Sequence, residues 1–368
     1  MLTVWDDLPI HQTPATLDQP DSSDPAVYER FYFGFFDIEG ACMVGLVFNI
    51  HPNKGLTDAA FSVSRQGRHE SLLVTDRLGT DRANLVCGPV RLVLLEPMKS
   101  LRITVDAAEG FGADITFTAT TPAIEEPRVT RRRLNRVVQD RSRYVQLGSV
   151  SGRVVSPLGE VRLNEDTWRG GRDHSWGIWD APKEHAFDTG DASPSFLWLI
   201  GSFDDWAFQA VTHEDSDGRV YGEYAATCPT LSHGAEPAGP GARQANFDHV
   251  KFDVRYPSGR WHLESGELVF ADGGQFSECV HMRSLHAILP RSIGYDHPTW
   301  KFGTVYPRLP QVLRGSWNLA EEDLLQRHNH RAIHAVRITR RDGAVGYGLI
   351  DQRVSVAQAQ RAGQVPRA

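Results

Sequence analysis

Lysine and cysteine are both scarce in this chain of 368 residues. Only five of its 39 basic residues are lysines, so arginine carries nearly all of the positive charge. The formal net charge is −7, and because nucleic-acid binding favours a basic surface, we expect no nucleic-acid partner. The four cysteines, Cys42, Cys87, Cys228 and Cys279, form no CxxC pair, which argues against a structural zinc site.

Long apolar runs are missing as well. The longest, residues 196–200, is far shorter than the roughly 20 residues that a membrane-spanning helix needs, so no membrane span is expected. The first residues, MLTVWDDLPIHQT, contain no basic segment followed by an apolar one, and we therefore expect no signal peptide. Together with the scattered cysteines, this predicts a cytoplasmic protein with reduced thiols.

The signatures of several large enzyme classes are also absent. The sequence contains no GxSxG, no HExxH, no P-loop and no GxGxxG that follows a strand. These absences argue against α/β hydrolases, zincins, NTPases and Rossmann dehydrogenases. Convincing amphipathic helices are nearly absent too, so the alternation of strands and helices that an α/β fold requires is not found.

Short β-rich runs dominate the sequence instead. FYFGFFDI and CMVGLVFNI flank Glu39-Gly40, and later hairpins are predicted to turn at Asp217-Gly218, Ser258-Gly259 and Asp342-Gly343. Strands at such short, regular spacing are typical of an antiparallel sandwich or barrel. We predict an all-β protein of two packed domains, residues 1–178 and 179–368, which meet near a polar, turn-rich segment at residues 177–194.

An arginine-rich run at residues 128–143 contains seven arginines. Such a run can attract an anionic substrate or partner. The more ordinary interpretation is a solvated connection whose charge is partly balanced by Glu125, Glu126 and Asp140.

Three histidines, His328, His330 and His334, have the same parity and would point to one face of a strand. Three imidazoles can hold zinc or iron. However, no carboxylate lies at an obvious ligand spacing, and His330 and His334 would be about 13 Å apart on an extended strand. We therefore predict no metal site.

The segment GGRDHSWGIWD at residues 170–180 concentrates functional side chains. On a strand, Arg172, His174 and Trp176 would face one side, and Asp173 and Ser175 the other. A buried Asp beside charged groups can be a tuned acid, because burial and neighbours shift its pKa in opposite directions. A structural role, with Trp176 in a core, is an equally good interpretation.

This segment resembles the signature of the lipocalin-like (calycin) superfamily that contains carotenoid 1,2-hydratase (hydroxyneurosporene synthase), AttH-type proteins, tocopherol-cyclase-like enzymes and calycin-type Diels–Alderases. Further matches are Tyr144-x-Gln146-x-Gly148 and the C-terminal pair Asp342-Gly343 with Gly346-Tyr347-Gly348. The resemblance implies two lipocalin-like antiparallel β domains. It also implies a hydrophobic small-molecule ligand and chemistry without a redox cofactor, such as alkene hydration or cyclisation.

Such chemistry needs a carboxylic acid that is kept neutral by burial, and aromatic faces that line the cavity. Asp173 is one candidate acid, with Asp204 or Asp205 as the alternative, and His174 is a candidate base. A second polar cluster, Asp296 and His297, could face the same cavity. The predicted substrate-binding aromatic residues are Trp176, Trp179, Trp198, Trp206, Tyr295, Trp300 and Tyr306.

Two functions remain open from the sequence. The first is a cofactor-independent lyase, isomerase or cyclase that uses acid–base catalysis on a bulky terpenoid, polyketide, steroid-like or aromatic substrate. The second is a non-catalytic carrier of a similar hydrophobic molecule. A motif shared by members with different reactions points to structural roles for Arg172 and Asp173, and leaves His174 and Trp176 as the better candidates for lining the cavity. A monomer and a homodimer are both compatible with the sequence.

Overall fold

The computed structural model describes residues 7–9, 19–133, 135–179, 195–215, 217–257, 262–272, 275–295, 297–320 and 331–354, without the side chains of residues 133 and 275–277. Over these residues the chain forms 23 strands and no α-helix. Short 3-10 helices lie at Pro52–Lys54, Leu231–His233, Pro240–Ala242 and Pro290–Ile293. The predicted all-β fold, with two curled antiparallel sheets, is confirmed.

The first sheet has 14 strands and is built mainly from the N-terminal half of the chain. Its strands are β1 (Val27–Asp37), β2 (Cys42–His51), β3 (Leu56–Arg65), β4 (Arg68–Arg77), β5 (Val86–Cys87), β6 (Val90–Glu96), β7 (Ser100–Ala108), β8 (Phe111–Ala119), β9 (Ile124–Glu125), β10 (Val129–Arg133), β11 (Arg136–Ser156), β12 (Gly159–Leu163), β13 (Trp168–Trp179) and β21 (Gln311–Asn318). The main path runs β21-β4-β3-β2-β1-β13-β11-β8-β7-β6-β5, and β9, β10 and β12 also pair with β11.

The second sheet has nine strands. They are β14 (Ser195–Ser202), β15 (Trp206–Glu214), β16 (Val220–Pro229), β17 (Ala245–Phe247), β18 (His249–Arg255), β19 (Ser265–Asp272), β20 (Gln275–Ile288), β22 (Arg331–Arg340) and β23 (Val345–Arg353). Their order is β17-β16-β15-β14-β23-β22-β20-β19-β18, so the C-terminal strand β23 lies beside β14.

One strand crosses from the second half of the sequence to the first sheet. β21 pairs antiparallel with β4 along its whole length, from Gln311 opposite Thr75 to Asn318 opposite Arg68. Otherwise the change of sheet falls between the end of β13 and the start of β14. The division into domains at residues 178 and 179 stays a prediction, and most of the predicted segment 177–194 lies outside the described residues.

Strand alternation gives the first sheet two apolar faces. On β1, Phe31, Phe33 and Phe35 pack into a core enclosed by the first sheet, whereas Tyr32 and Phe36 face the second sheet. The second sheet encloses a core of its own. Each large side chain that is fully buried in this way contributes roughly 1.5–3 kcal/mol. We call the layer between the two sheets, which contains Tyr32 and Phe36, the seam.

Gly171, near the start of β13, allows the two sheets to approach closely. A Cβ at Gly171 would lie 2.7 Å from Cδ1 of Ile200 and 2.8 Å from Cδ1 of Leu349, which are both on the second sheet. Glycine at this position therefore lets β13 pack directly against β14 and β23. In the part of the chain that the structure describes, no helix has the length and apolar character needed to cross a bilayer.

Candidate active site

The two faces of β13 lie in different environments: one faces the interior of the first sheet and the other faces the seam. β13 runs between β1 and β11, with Asp173 opposite Tyr32 on one side and Val145 on the other. Arg172 and His174 point into the first sheet, where the His174 ring stacks on Phe31 with the ring centres 4.1 Å apart. Asp173 points into the seam. Asp173 and His174 therefore lie on opposite faces of the sheet and do not share one site.

Arg172 is the centre of a buried polar network inside the first sheet. Its Nη1 and Nη2 donate to the Asp7 carboxylate at 2.7 and 3.2 Å, and its Nε donates to Gln146 Oε1 at 3.1 Å. Asp7 also accepts hydrogen bonds from the Tyr144 hydroxyl at 2.7 Å and from the Met98 amide at 2.6 Å. Burial alone would raise the pKa of Asp7, but Arg172 and these donors outweigh it and lower the pKa to about 2. The network ties the N-terminal segment to β13.

His174 and Trp176 belong to the same interior region. His174 is fully buried, and its Nδ1 lies 3.3 Å from the Tyr144 hydroxyl. The half-buried Trp176 ring packs against both, with ring centres 5.4 Å from His174 and 6.4 Å from Tyr144. These contacts join β11 to β13 within the first sheet.

Asp173 is a half-buried carboxyl group on the seam face of β13. Burial raises its pKa to about 6, an effect that Arg143 and Arg30 reduce and that Glu126 reinforces. A carboxyl group with such a pKa is present in both protonation states near neutral pH. It is therefore suited to donate or accept a proton there.

Glu126 is a second carboxylate at the seam, and it stays ionised. Its Oε1 accepts hydrogen bonds from Trp198 Nε1 at 3.1 Å and from Gln209 Nε2, and its Oε2 lies 3.3 Å from Arg143 Nε and 3.4 Å from Arg141 Nη2. Burial would raise the pKa of Glu126, but the two arginines and the hydrogen bonds lower it overall. Two carboxyl groups whose pKa values are shifted in opposite directions are a pattern typical of acid–base sites.

Arg30 and aromatic rings form the adjoining part of the seam. The Arg30 guanidinium carbon lies 4.0 Å from the centre of the Trp179 ring and 5.3 Å from that of Tyr295. Its Nε donates to Asn49 Oδ1 at 2.6 Å, and its Nη1 donates to the Tyr295 hydroxyl at 3.1 Å. Arg30 is 6% exposed, whereas the Trp179 and Tyr295 side chains are half-buried.

The Tyr32 hydroxyl lies at the same face as Asp173. Burial raises the pKa of Tyr32 well above its ordinary value, and the nearby Asp351 and Asp173 carboxyl groups raise it further. The phenol is therefore neutral, and the hydroxyl has no hydrogen-bond partner among the residues that the structure describes. It is a buried donor that a bound molecule can use.

Four of the residues predicted from the sequence lie at the seam: Asp173, Trp179, Trp198 and Tyr295. Trp206 lies elsewhere, in the interior of the second sheet, where its ring packs against Phe208 and Phe270. Asp205, the alternative acid, forms an ion pair with Arg340 at 2.9 Å.

The predicted C-terminal cluster forms a packed loop next to β3, β4 and β21. Trp300 is fully buried and donates from Nε1 to Thr75 Oγ1 at 3.0 Å. His297 Nδ1 accepts hydrogen bonds from the amides of Thr299 and Trp300, at 3.3 and 3.1 Å. Tyr306 packs, half-buried, against the same cluster. Asp296 lies outside the described residues.

Two groups of metal-ligand residue types are present. His334 is buried, with Nδ1 2.9 Å from the Ser284 hydroxyl, while His328 and His330 lie outside the described residues. Within the described ranges, Glu267, Cys279 and His281 bring their ligand atoms within 4.8 Å of one another. Glu267 and His281 are exposed on β19 and β20, and none of the three is among the groups that act on Asp173.

The residues that sequence reasoning missed are Arg30, Tyr32 and the pair Arg141 and Arg143. The arginine-rich run divides in the structure: Arg128 forms an exposed ion pair with Asp140, whereas Arg141 and Arg143 turn into the seam. The alternation of side chains along a strand predicts the inward turn of Arg141 and Arg143 to the seam, because residues 141, 143 and 145 point to the face opposite to that of Tyr144.

Comparison with solved structures shows the fold. An AttH-type protein from Nitrosomonas europaea is 15% identical, with a TM-score of 0.54 over 89% of this chain and 91% of that chain. Kievitone hydratase from Nectria haematococca is 10% identical, with a TM-score of 0.49 over 94% and 93%. CghA is 12% identical, with a TM-score of 0.48 over 95% and 96%. The predicted lipocalin-like (calycin) fold is confirmed.

Sequence comparison places the chain in a family. No curated protein matches it in sequence. A family profile described as "Family of unknown function (DUF8625)" matches residues 2–363, which is almost the entire chain, and the protein belongs to that family.

Proposed function

We propose that the protein is a cofactor-independent lyase, isomerase or cyclase, in which Asp173 exchanges a proton with a bulky, largely apolar substrate bound at the seam. The observation that carries this proposal is the placement of Asp173. It is a half-buried carboxyl group opposite Tyr32, on a face that also presents Arg30 and Arg143.

The chemistry follows from the protonation states of three groups. Asp173, whose pKa is about 6, gives a proton to an alkene carbon, or exchanges one with the carbon next to a carbonyl group. The neutral Tyr32 hydroxyl donates a hydrogen bond to a substrate oxygen. Glu126 stays charged and fixes Arg143 and Arg141 in place. General acid–base catalysis of this kind contributes about 10²–10⁴-fold to a rate.

The apolar character of the substrate is supported by the aromatic rings of the seam. Trp179 and Tyr295 are half-buried, with their ring centres 6.5 Å apart, and Trp198 is hydrogen-bonded to Glu126 in the same layer. Such rings bind flat or branched apolar bodies with little loss of side-chain entropy. His174 is left out of the proposed catalytic group because it faces the interior of the first sheet.

The test is deuterium incorporation from D₂O. The purified protein is incubated in D₂O with a panel of prenylated phenols, isoprenoid acids and polyenes, and products are analysed by mass spectrometry. Proton transfer to carbon predicts one non-exchangeable deuterium per product. Asp173→Asn should lower the rate by roughly 10²–10⁴-fold. The matched control, Asp114→Asn, removes an exposed carboxylate from the same sheet and should leave the rate unchanged.

The pH dependence provides a second readout. If the protonated form of Asp173 is the active one, the rate falls as pH rises through about 6. A folded Asp173→Asn variant with full activity would contradict the proposal. A wild-type protein that binds members of the panel stoichiometrically and returns them unlabelled would instead be a carrier.

A further inference from the structure

In one group of arginine and acidic side chains at the seam, guanidinium groups outnumber carboxyl groups by four to three, and the third carboxyl group is that of Asp173, whose pKa Arg30 and Arg143 lower. Arg141 and Arg143 share the single carboxylate of Glu126, and Arg331 pairs with Asp351 at 3.0 Å. Arg30 contributes a fourth guanidinium to this layer, through its contacts with Trp179 and Tyr295. Among the residues that the structure describes, no carboxylate lies within 4.0 Å of Arg30. Its hydrogen bonds go to the neutral oxygens of Asn49 and Tyr295.

A buried guanidinium without a direct ion pair is costly, because neutral acceptors replace only part of its hydration. Aromatic faces recover some of this cost, and the Arg30 guanidinium lies over four of them: Trp179 at 4.0 Å, Phe302 at 5.2 Å, Tyr295 at 5.3 Å and Tyr28 at 5.4 Å. Rings do not neutralise the charge. The site therefore favours the binding of an anion.

Two further donors at the seam have no acceptor among the described residues. They are the buried Nε of Arg141 and the Tyr32 hydroxyl, which is itself 4% exposed. Arg30 and Arg141 both lower the otherwise raised pKa of the Tyr28 phenol, so both guanidinium groups lie near it. The seam therefore contains hydrogen-bond donors besides Arg30, and the half-buried rings of Trp179 and Tyr295 lie against Arg30 itself.

We propose that the ligand of this site is an amphipathic organic acid, whose carboxylate is bound by Arg30 and whose apolar body lies against Trp179 and Tyr295. The location rests on the proposed function, but recognition of the acid does not depend on catalysis. A guanidinium matches a carboxylate in charge and in geometry.

The test compares two ligands that differ only in their polar end. Retinoic acid and retinol share one apolar body, and the binding of each is followed by quenching of tryptophan fluorescence and by calorimetry at pH 7.5. We expect retinoic acid to bind at least about tenfold more tightly. Arg30→Gln should reduce this preference to about twofold or less, and Arg30→Lys should retain part of it. Arg102→Gln, which removes an exposed arginine paired with Asp114, should not change the preference.

Equal affinity for the two ligands, or no binding of retinoic acid, overturns the inference, and this comparison needs only the wild-type protein. A folded Arg30→Gln variant that keeps the full preference overturns it as well. Asp173→Asn should keep the preference for the acid while losing deuterium incorporation. Acid preference without turnover would count against the proposed function alone, and turnover without acid preference would count against this inference alone.

Discussion

Replacing Asp7 by Asn should destabilise the protein strongly, because it leaves the guanidinium of Arg172 buried without its counter-ion. Asp7 and Arg172 are each 1% exposed. Breaking a buried ion pair on one side costs about 3–5 kcal/mol. The pKa of Asp7, lowered from 3.8 to about 2, gives a value on the order of 2 kcal/mol for the preference of the fold for the ionised form. We therefore expect a loss of about 2–5 kcal/mol.

The assay is urea unfolding followed by tryptophan fluorescence. Because the folded pKa of Asp7 lies below its unfolded value, the stabilisation is complete above about pH 4 and is lost as pH falls towards 2. The difference between wild type and Asp7→Asn should therefore be constant from about pH 5 to 8.

Two further variants show whether the unpaired charge is the cause. The double variant Asp7→Asn with Arg172→Met should recover part of the loss, since it removes that charge. Asp114→Asn, at an exposed pair, should change stability by less than about 1 kcal/mol. A loss below about 1 kcal/mol for Asp7→Asn, or a double variant no more stable than the single one, would refute the reasoning.

Three further predictions concern stability. Gly177→Ala should lower the melting temperature, because a Cβ there would lie 2.0 Å from the carbonyl oxygen of Asp140 at a φ of +124°; an unchanged melting curve would contradict this. Trp300→Ala should cost roughly 3–5 kcal/mol in urea unfolding, with Trp300→Phe costing less, since the ring is fully buried and donates to Thr75; equal losses for both variants would speak against it. Burial lowers the pKa of His69 from 6.5 to about 3. The contribution of His69 to the free energy of unfolding is therefore fully present above about pH 6.5, and it decreases by about 1.4 kcal/mol per pH unit as the pH falls towards about 3. His69→Gln should therefore flatten the pH dependence of the urea midpoint between about pH 4 and 6, and an unaltered slope would disprove this role.

Local patterns in the sequence were sufficient for the fold class and for the faces of β13. The alternation of Arg172, His174 and Trp176 with Asp173 and Ser175 depends only on the two-residue period of a strand, and the structure has that alternation. Turn residues and short apolar runs likewise indicate an antiparallel protein. The return of β21 to the first sheet was not predictable, because a pairing between β21 and β4 leaves no local pattern.

The composition of the seam was also beyond local reasoning. Arg30 is hydrogen-bonded to Tyr295, which is 265 positions away in the sequence, and Glu126 is hydrogen-bonded to Gln209, which is 83 positions away. These contacts follow from strand register and from the packing of two sheets, which one sequence does not specify. The burial of Arg143 depends on the chain reversal that lays Glu126 beside it, where the Glu126 amide donates to the Arg143 carbonyl at 2.9 Å.

β13 has two roles, because its side chains alternate between the interior of the first sheet and the seam. Its inward side chains, with Arg172 bonded to Asp7, fix β13 to the first sheet, while its outward side chains present Asp173 to the seam. Because neighbouring residues on a strand share one backbone, loss of the Arg172 network would shift Asp173 as well. Reduced activity in an Arg172 variant would therefore not make Arg172 catalytic. Only a change at Asp173 itself, measured in a folded protein, separates the chemistry of the seam from the architecture that supports it.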